Sequence, residues 1–168
     1  MGAVAEFPEL IEDVFVNKEK NDAGIYKLRF FIRGKPWVVT IDDAMLFYGN
    51  TLNHANIDYS AENKNFWAPL VEKAFAKMKG NYATANGGFV PNGLRSLVGC
   101  PVSDYLTIEE TDASEVWARM KAADDLNYIL GAGTFEPDDI VNQCTIVAGH
   151  AYSVIAVFEL KTGEVVDH

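Results

Sequence analysis

Apolar and polar residues alternate along Tyr26-Lys27-Leu28-Arg29-Phe30, and Trp37-Val38-Val39-Thr40-Ile41 is a second β-rich run. Arg33-Gly34-Lys35 between them is turn chemistry, so the pattern predicts a β-meander over Asn21 to Asp43. Upstream, Leu10, Ile11, Val14 and Phe15 recur at a helical period within Pro8 to Val16, with Glu9 in the first turn. Downstream, Asn65 to Lys79 carries the strongest helical signal. Phe66, Leu70 and Ala74 form one row and Trp67, Val71, Phe75 and Met78 the next, giving a broad apolar face. Pro69 is tolerated only near the helix start, and Gly80 ends the helix. Asn86-Gly87-Gly88 predicts a tight loop whose backbone adopts positive φ or lies close to another chain.

In the second half, Thr111 to Ala123 predicts a helix with Thr111, Asp112 or Ser114 as its cap and Val116, Met120 and Ala123 on one face. Leu126 to Leu130 reads as a strand closed by Gly131-Ala132-Gly133. Thr145 to Ala148 and Ala151 to Leu160 read as further strands, followed by a Lys161-Thr162-Gly163-Glu164 turn into Val165-Val166. No internal repeat or low-complexity tract interrupts this order. The composition softens around Gly99 to Asp104, where a lobe boundary is expected.

Composition narrows the function classes. With 168 residues, 49% hydrophobic and 23% charged, the chain has the balance of a soluble globular protein. At this size roughly 70% of the unfolded surface is buried on folding, so neither disulfides nor a metal is needed for a core. The formal charge of −10 and the absence of any Lys/Arg cluster argue against nucleic acid. No apolar run approaches the roughly 20 residues of a membrane span. The N-terminus lacks a basic segment followed by an apolar stretch, so no signal peptide is expected. Met1-Gly2 opens a myristoylation pattern that Phe7 does not support. The two cysteines, Cys100 and Cys144, have no metal or redox spacing, which points to a reducing, cytoplasmic setting.

Histidine is scarce, with only His54, His150 and His168. His150 sits among small residues in the apolar run Val147 to Ile155, and the residues alone leave two readings. One is a satisfied core or edge histidine. The other is a general base at a strand end, where Gly149 and Ala151 leave room for a substrate backbone. An imidazole titrates near neutrality, which suits proton transfer from a thiol. Cys144 lies six residues before His150, about 20 Å if the strand is continuous. Cys100 precedes Pro101 in a loop. Neither resembles a thiol activated at a helix N-terminus, so both read as small buried residues or idle loop thiols. Asp42-Asp43, Glu109-Glu110 with Asp112, and Glu136 to Asp139 read as solvated turn acids without EF-hand spacing. Phosphate loops, nucleophile elbows and zinc signatures are missing.

Several segments taken together resemble a known family. Ala23-Gly24-Ile25-Tyr26, then Gly34-Lys35-Pro36-Trp37 and Val39-Thr40-Ile41-Asp42-Asp43, are similar to the AGIY, GEW and VDD segments of calpains, the intracellular papain-like cysteine proteases. Phe66-Trp67 through Lys77 resembles their FW..LLEKAYAK helix, and Gly80-Asn81-Tyr82 with Asn86-Gly87-Gly88 resembles a further pair of motifs. Gly149-His150-Ala151-Tyr152-Ser153-Val154 matches GHAYSV. The matches run in order over most of the chain.

The resemblance implies an α+β papain-like cysteine proteinase fold, the calpain protease core, present in part. Residues 1–100 would be the C-terminal part of the helical first lobe, and residues 101–168 the N-terminal part of the β-rich second lobe. It implies that His150 is the acid/base histidine and that Gly88 and Gly149 contact substrate. A cysteine thiolate would attack the peptide carbonyl and an asparagine would orient the imidazole. In the family these belong to GDCW and RNPWG motifs, which fall outside this chain. Calcium normally switches cleavage by drawing the lobes together. Asn65 stands where a calcium-ligating Glu is common, and an uncharged amide oxygen there implies weak affinity. Cys100 replaces the second glycine of the family's TGG. The expected function is therefore that of a piece of a calcium-dependent cysteine endopeptidase, inactive alone, acting on protein or peptide substrates. A dimer, or the remainder of the protease core, is the expected partner. The alternative is a non-catalytic calpain-like binding or regulatory module.

Overall fold

Arg33 and Gly34 both adopt positive φ, 51° and 74°, so the chain reverses in two residues with the twist that an antiparallel hairpin requires. The flanking strands are β1 (Ile25–Ile32) and β2 (Lys35–Asp42), in register from Ile25 opposite Asp42 to Ile32 opposite Lys35. These belong to a computed structural model that describes residues 1–49, 51–52 (backbone only), 55, 66–105, 112–134 and 146–160. The chain divides into two compact units, Ala3–Val102 and Ser103–His168.

In the first unit, period-two alternation places Leu28 and Phe30 of β1 beside Val39 and Ile41 of β2 on one buried face. Helix α3 (Trp67–Lys79, numbered after the two short N-terminal helices below) covers that face. Its Leu70, Val71, Ala74 and Ala76 are buried, and the Phe75 ring stands 6.1 Å from that of Phe30. Lysines fasten the helix to β2. Lys73 Nζ donates to Asp42 Oδ1 at 2.6 Å and to the Ala44 carbonyl at 2.5 Å, while Lys77 Nζ donates to the Thr40 carbonyl at 2.7 Å. The Lys73 hydrogen bond holds the Asp42 carboxyl below the usual carboxylate range, with the Ala44 N–H and the lysine charge adding to it.

Of the two N-terminal helices, α1 (Gly2–Ala5) contributes buried Ala3 and Val4, and α2 (Pro8–Val14) contributes Ile11 and Val14. The helix predicted to reach Val16 stops at Val14, because Phe15 turns extended and bridges Leu28. The Val16 N–H then donates to the Lys27 carbonyl at 2.8 Å and the Lys27 N–H to Asn17 Oδ1 at 2.6 Å, satisfying the outer edge of β1. Strands β3 (Phe47–Tyr48) and β4 (Thr51–Leu52) form a two-residue ladder. After α3, Gly80 stops the helix with φ 108°. Two helices that the hydrophobic pattern did not predict follow. Helix α4 (Tyr82–Ala85) is held by a reciprocal Asn81–Thr84 capping box, and α5 (Val90–Val98) carries Pro91 in its first turn. Gly99 ends α5 in the left-handed region, and a β-carbon there would lie 2.6 Å from ring carbons of Phe31. Cys100, just beyond, is exposed.

In the second unit, α6 (Ala113–Asp125) is capped by Asp112, whose side chain accepts from the Ser114 N–H at 2.8 Å. Val116 is buried and Met120 and Ala123 are half-buried. The strand predicted over Leu126 to Leu130 is not formed. Leu126 caps α6, Asn127 has φ 57°, and the Tyr128 N–H returns to the Ala123 carbonyl at 2.9 Å. The strand here is β5 (Leu130–Gly133), so the glycines expected to close it lie within it. It pairs antiparallel with β6 (Ala151–Val154). The longer strand predicted to Leu160 stops at Val154, where its partner ends, although Val157 beyond it is buried and donates its N–H to Asp124 Oδ2 at 3.1 Å. Ile146 to Ala148, predicted as strand, leads instead into a turn. The expectations for Asn65, Cys144, Thr145, His54, His168, Glu109-Glu110, Glu136 to Asp139 and the Lys161 to Val166 segment lie outside the described residues.

The two helix-ending glycines give a paired test. At Gly80 a β-carbon meets open space, so Gly80→Ala costs only the backbone term, about 1 kcal/mol. Gly99→Ala adds crowding of Phe31, for a further 1–3 kcal/mol or about that. Urea denaturation should therefore give a distinctly lower midpoint for Gly99→Ala. Equal midpoints would show that the Phe31 contact yields without cost.

Candidate functional site

Pairing of β5 with β6 puts Gly133 opposite Ala151, so the next step of the same register brings Thr134 to His150. There the Thr134 N–H donates to the His150 carbonyl at 2.9 Å. In return the His150 N–H donates to the Thr134 hydroxyl at 3.0 Å, a side chain standing in for the backbone acceptor of a regular ladder. His150 is thereby fixed at the head of a strand, with its side chain exposed to solvent.

The residues before it form a turn through Ala148 and Gly149. Gly149 has φ 62°, a conformation costly for a residue with a β-carbon. Side chains hold the entry to this turn at Val147. The Tyr152 hydroxyl accepts from the Val147 N–H at 2.8 Å and lies 3.2 Å from the Val147 carbonyl. The Thr134 hydroxyl donates to that carbonyl at 2.7 Å, its shorter acceptor contact, the His150 carbonyl lying at 3.3 Å. One carbonyl with two lone pairs thus receives two hydroxyl groups.

Alternate residues of a strand share a face, so His150 and Tyr152 project on the same side. Their rings meet edge to face, 4.9 Å between centroids at 71°. Tyr152 is half-buried and His150 is exposed, so the tyrosine is a supported surface against which the imidazole rests. An exposed imidazole braced by a neighbouring ring can exchange protons with a group brought to it. His150 is not a core histidine; it stands exposed at the head of β6, a placement common to an edge histidine and to a general base.

The other sequence-derived candidates are placed as follows. Gly149 adjoins His150 in the turn. Gly88 lies in the first unit, between α4 and α5, with φ 146° and no atom within 4 Å of where a β-carbon would stand. Asn65 falls outside the described residues. Among the described residues, no three His, Cys, Asp or Glu side chains gather to hold a metal ion. Sequence reasoning gave no part to Thr134 or to the Tyr152 hydroxyl. The available signal was the Gly131 to Gly133 run ending in a hydroxyl residue, but its meaning depends on a pairing sixteen residues away.

The model of the family described as calpain family cysteine protease matches residues 1–167. Over 170 residues the chain is 32% identical to Calpain-type cysteine protease DEK1 of Arabidopsis thaliana, covering 95% of this chain and 8% of that protein. It is 35% identical over 144 residues to Calpain-A of Drosophila melanogaster, covering 83% and 16%. With Calpain clp-4 of Caenorhabditis elegans it shares 30% identity over 146 residues, covering 84% and 20%. The chain thus spans between 8% and 20% of the length of these relatives. Mixed helix and strand content agrees with the α+β expectation, and the match over nearly all residues settles the family. The chain belongs to the calpain family of cysteine proteases.

Proposed function

We propose that this chain is part of the core of a calpain-like cysteine endopeptidase and that His150 is its acid/base histidine. The supporting observation is an exposed imidazole at the head of β6, next to a glycine turn, in a chain of this family. The papain-like arrangement belongs to the same reading, with residues 1–100 as part of its first lobe and 101–168 as part of its second. A cytoplasmic setting belongs to it too.

In this reading the imidazole takes the proton of a cysteine thiol contributed from outside the chain. The thiolate attacks the peptide carbonyl, and the imidazolium returns the proton to the leaving amine as the C–N bond breaks. The same imidazole then deprotonates the water that cleaves the thioester. Gly88 and Gly149 lie against the substrate backbone, where a side chain would keep it away. Calcium enters the proposal through Asn65, and no catalytic step is routed through it. Neither Cys100 nor Cys144 is given the nucleophile's role.

Alone, the 168-residue chain should show no turnover of fluorogenic peptides, because an imidazole without thiolate or oxyanion donors supplies almost none of the rate. Turnover that His150→Ala abolishes would contradict this and would point to Cys100 or Cys144. In the longer protein, His150→Ala should lower kcat by at least about 10²-fold, and unaltered hydrolysis would favour the non-catalytic module. Calorimetric titration of the chain with CaCl2 should show weak binding that tightens in Asn65→Glu, since a carboxylate adds charge to an oxygen site. Equal affinities would remove Asn65 from the calcium site.

A further inference from the structure

We infer that Thr134 and Tyr152 are positioning residues for His150, acting together through the Val147 backbone. The inference rests on the reading of His150 as the acid/base group. It goes beyond that reading by naming what aims the ring.

A histidine at a strand head has two freedoms, the path of the turn that precedes it and the rotamer of its own ring. Each is restrained here. Thr134 acts from just beyond β5 through its N–H and its hydroxyl. Its N–H and hydroxyl hold the His150 carbonyl and N–H, and its hydroxyl also donates to Val147. Tyr152 acts from β6 itself, its hydroxyl bridging the Val147 N–H and carbonyl. Because that hydroxyl is anchored, the ring between it and the backbone cannot swing, and the imidazole packs edge to face on a fixed surface. The Val147 carbonyl is where the two restraints meet. Removing either hydroxyl leaves the strand pairing intact and frees the turn.

Neither residue touches the reacting atoms in this arrangement. Thr134 meets only backbone groups of His150, and Tyr152 meets only the ring edge. Their effect is therefore on orientation, where a displacement of about 1 Å in a catalytic group is worth roughly 10²-fold in rate.

The test is aromatic NMR of the intact 168-residue chain. The wild-type chain should give cross-relaxation between the His150 imidazole and the Tyr152 ring, with His150 ring protons displaced by the tyrosine ring current. Tyr152→Phe retains a ring and loses the anchor, and Thr134→Val loses the hydroxyl from the other strand. Both should reduce the cross-peak and the displacement by at least half, while amides of Ala132 and Tyr152 or its replacement keep their exchange protection. Thr134→Ser, which keeps the hydroxyl, should restore the wild-type signals. If Thr134→Val fails to fold, Tyr152→Phe decides the question. Wild-type signals in both hydroxyl-deleted variants would overturn the inference, as would failure of Thr134→Ser to restore them. These signals are independent of hydrolysis. Should His150→Ala leave the longer protein active, the acid/base reading falls and the positioning result stands.

Discussion

The carbonyl and N–H of Val147 are the point on which the second unit's site depends. Two hydroxyl groups converge there from adjoining strands, and the glycine turn that follows delivers His150 to the head of β6. The ladder beneath is short, four residues on each strand. A ladder of that length frays easily at its ends. Side-chain hydrogen bonds at its final step therefore matter more than they would in a long sheet. In this geometry the imidazole is exposed while Tyr152, beside it, is half-buried.

Among the described residues, the two units bury different amounts of apolar side chain. In Ala3–Val102 the hairpin is packed by α3 against one face and by Phe31 with the α5 terminus on the other, with Leu28 and Phe30 fully buried. In Ser103–His168 the buried apolar residues among those described are Val116 and Val157. Leu126, Tyr128, Ile155, Phe158 and Leu160 are exposed there. Among the described residues of the second unit, hydrogen bonds at strand and helix ends recur, including Val157 N–H to Asp124 Oδ2.

Much of the fold is legible locally. Arg33-Gly34-Lys35 between two β-rich runs marks the reversal, which the fold makes at Arg33-Gly34, and of the cap candidates Thr111, Asp112 and Ser114 the fold uses Asp112 to start α6. The α3 boundary follows from Pro69 in the first turn and Gly80 at the end. Helix α5 was not predicted, although proline in its first turn with Gly99 at its end is a helical signature. Strand ends were not legible. Leu126 continues α6 and β6 stops at Val154 because tertiary partners, not propensity, decide those limits. For the site, His150 and Gly149 stand out in the sequence through composition and resemblance. Thr134 does not, because its role exists only once β5 and β6 pair.

The central claim is that His150 works as the proton partner of a cysteine nucleophile. Its most direct test is the pH dependence of alkylation of that cysteine in the longer protein, comparing wild type with His150→Ala. A thiolate stabilised by a neighbouring imidazolium reacts with iodoacetamide well below the ordinary thiol range. The account predicts an acid-shifted reactive limb in the wild-type protein that disappears in His150→Ala. Superimposable profiles would contradict it.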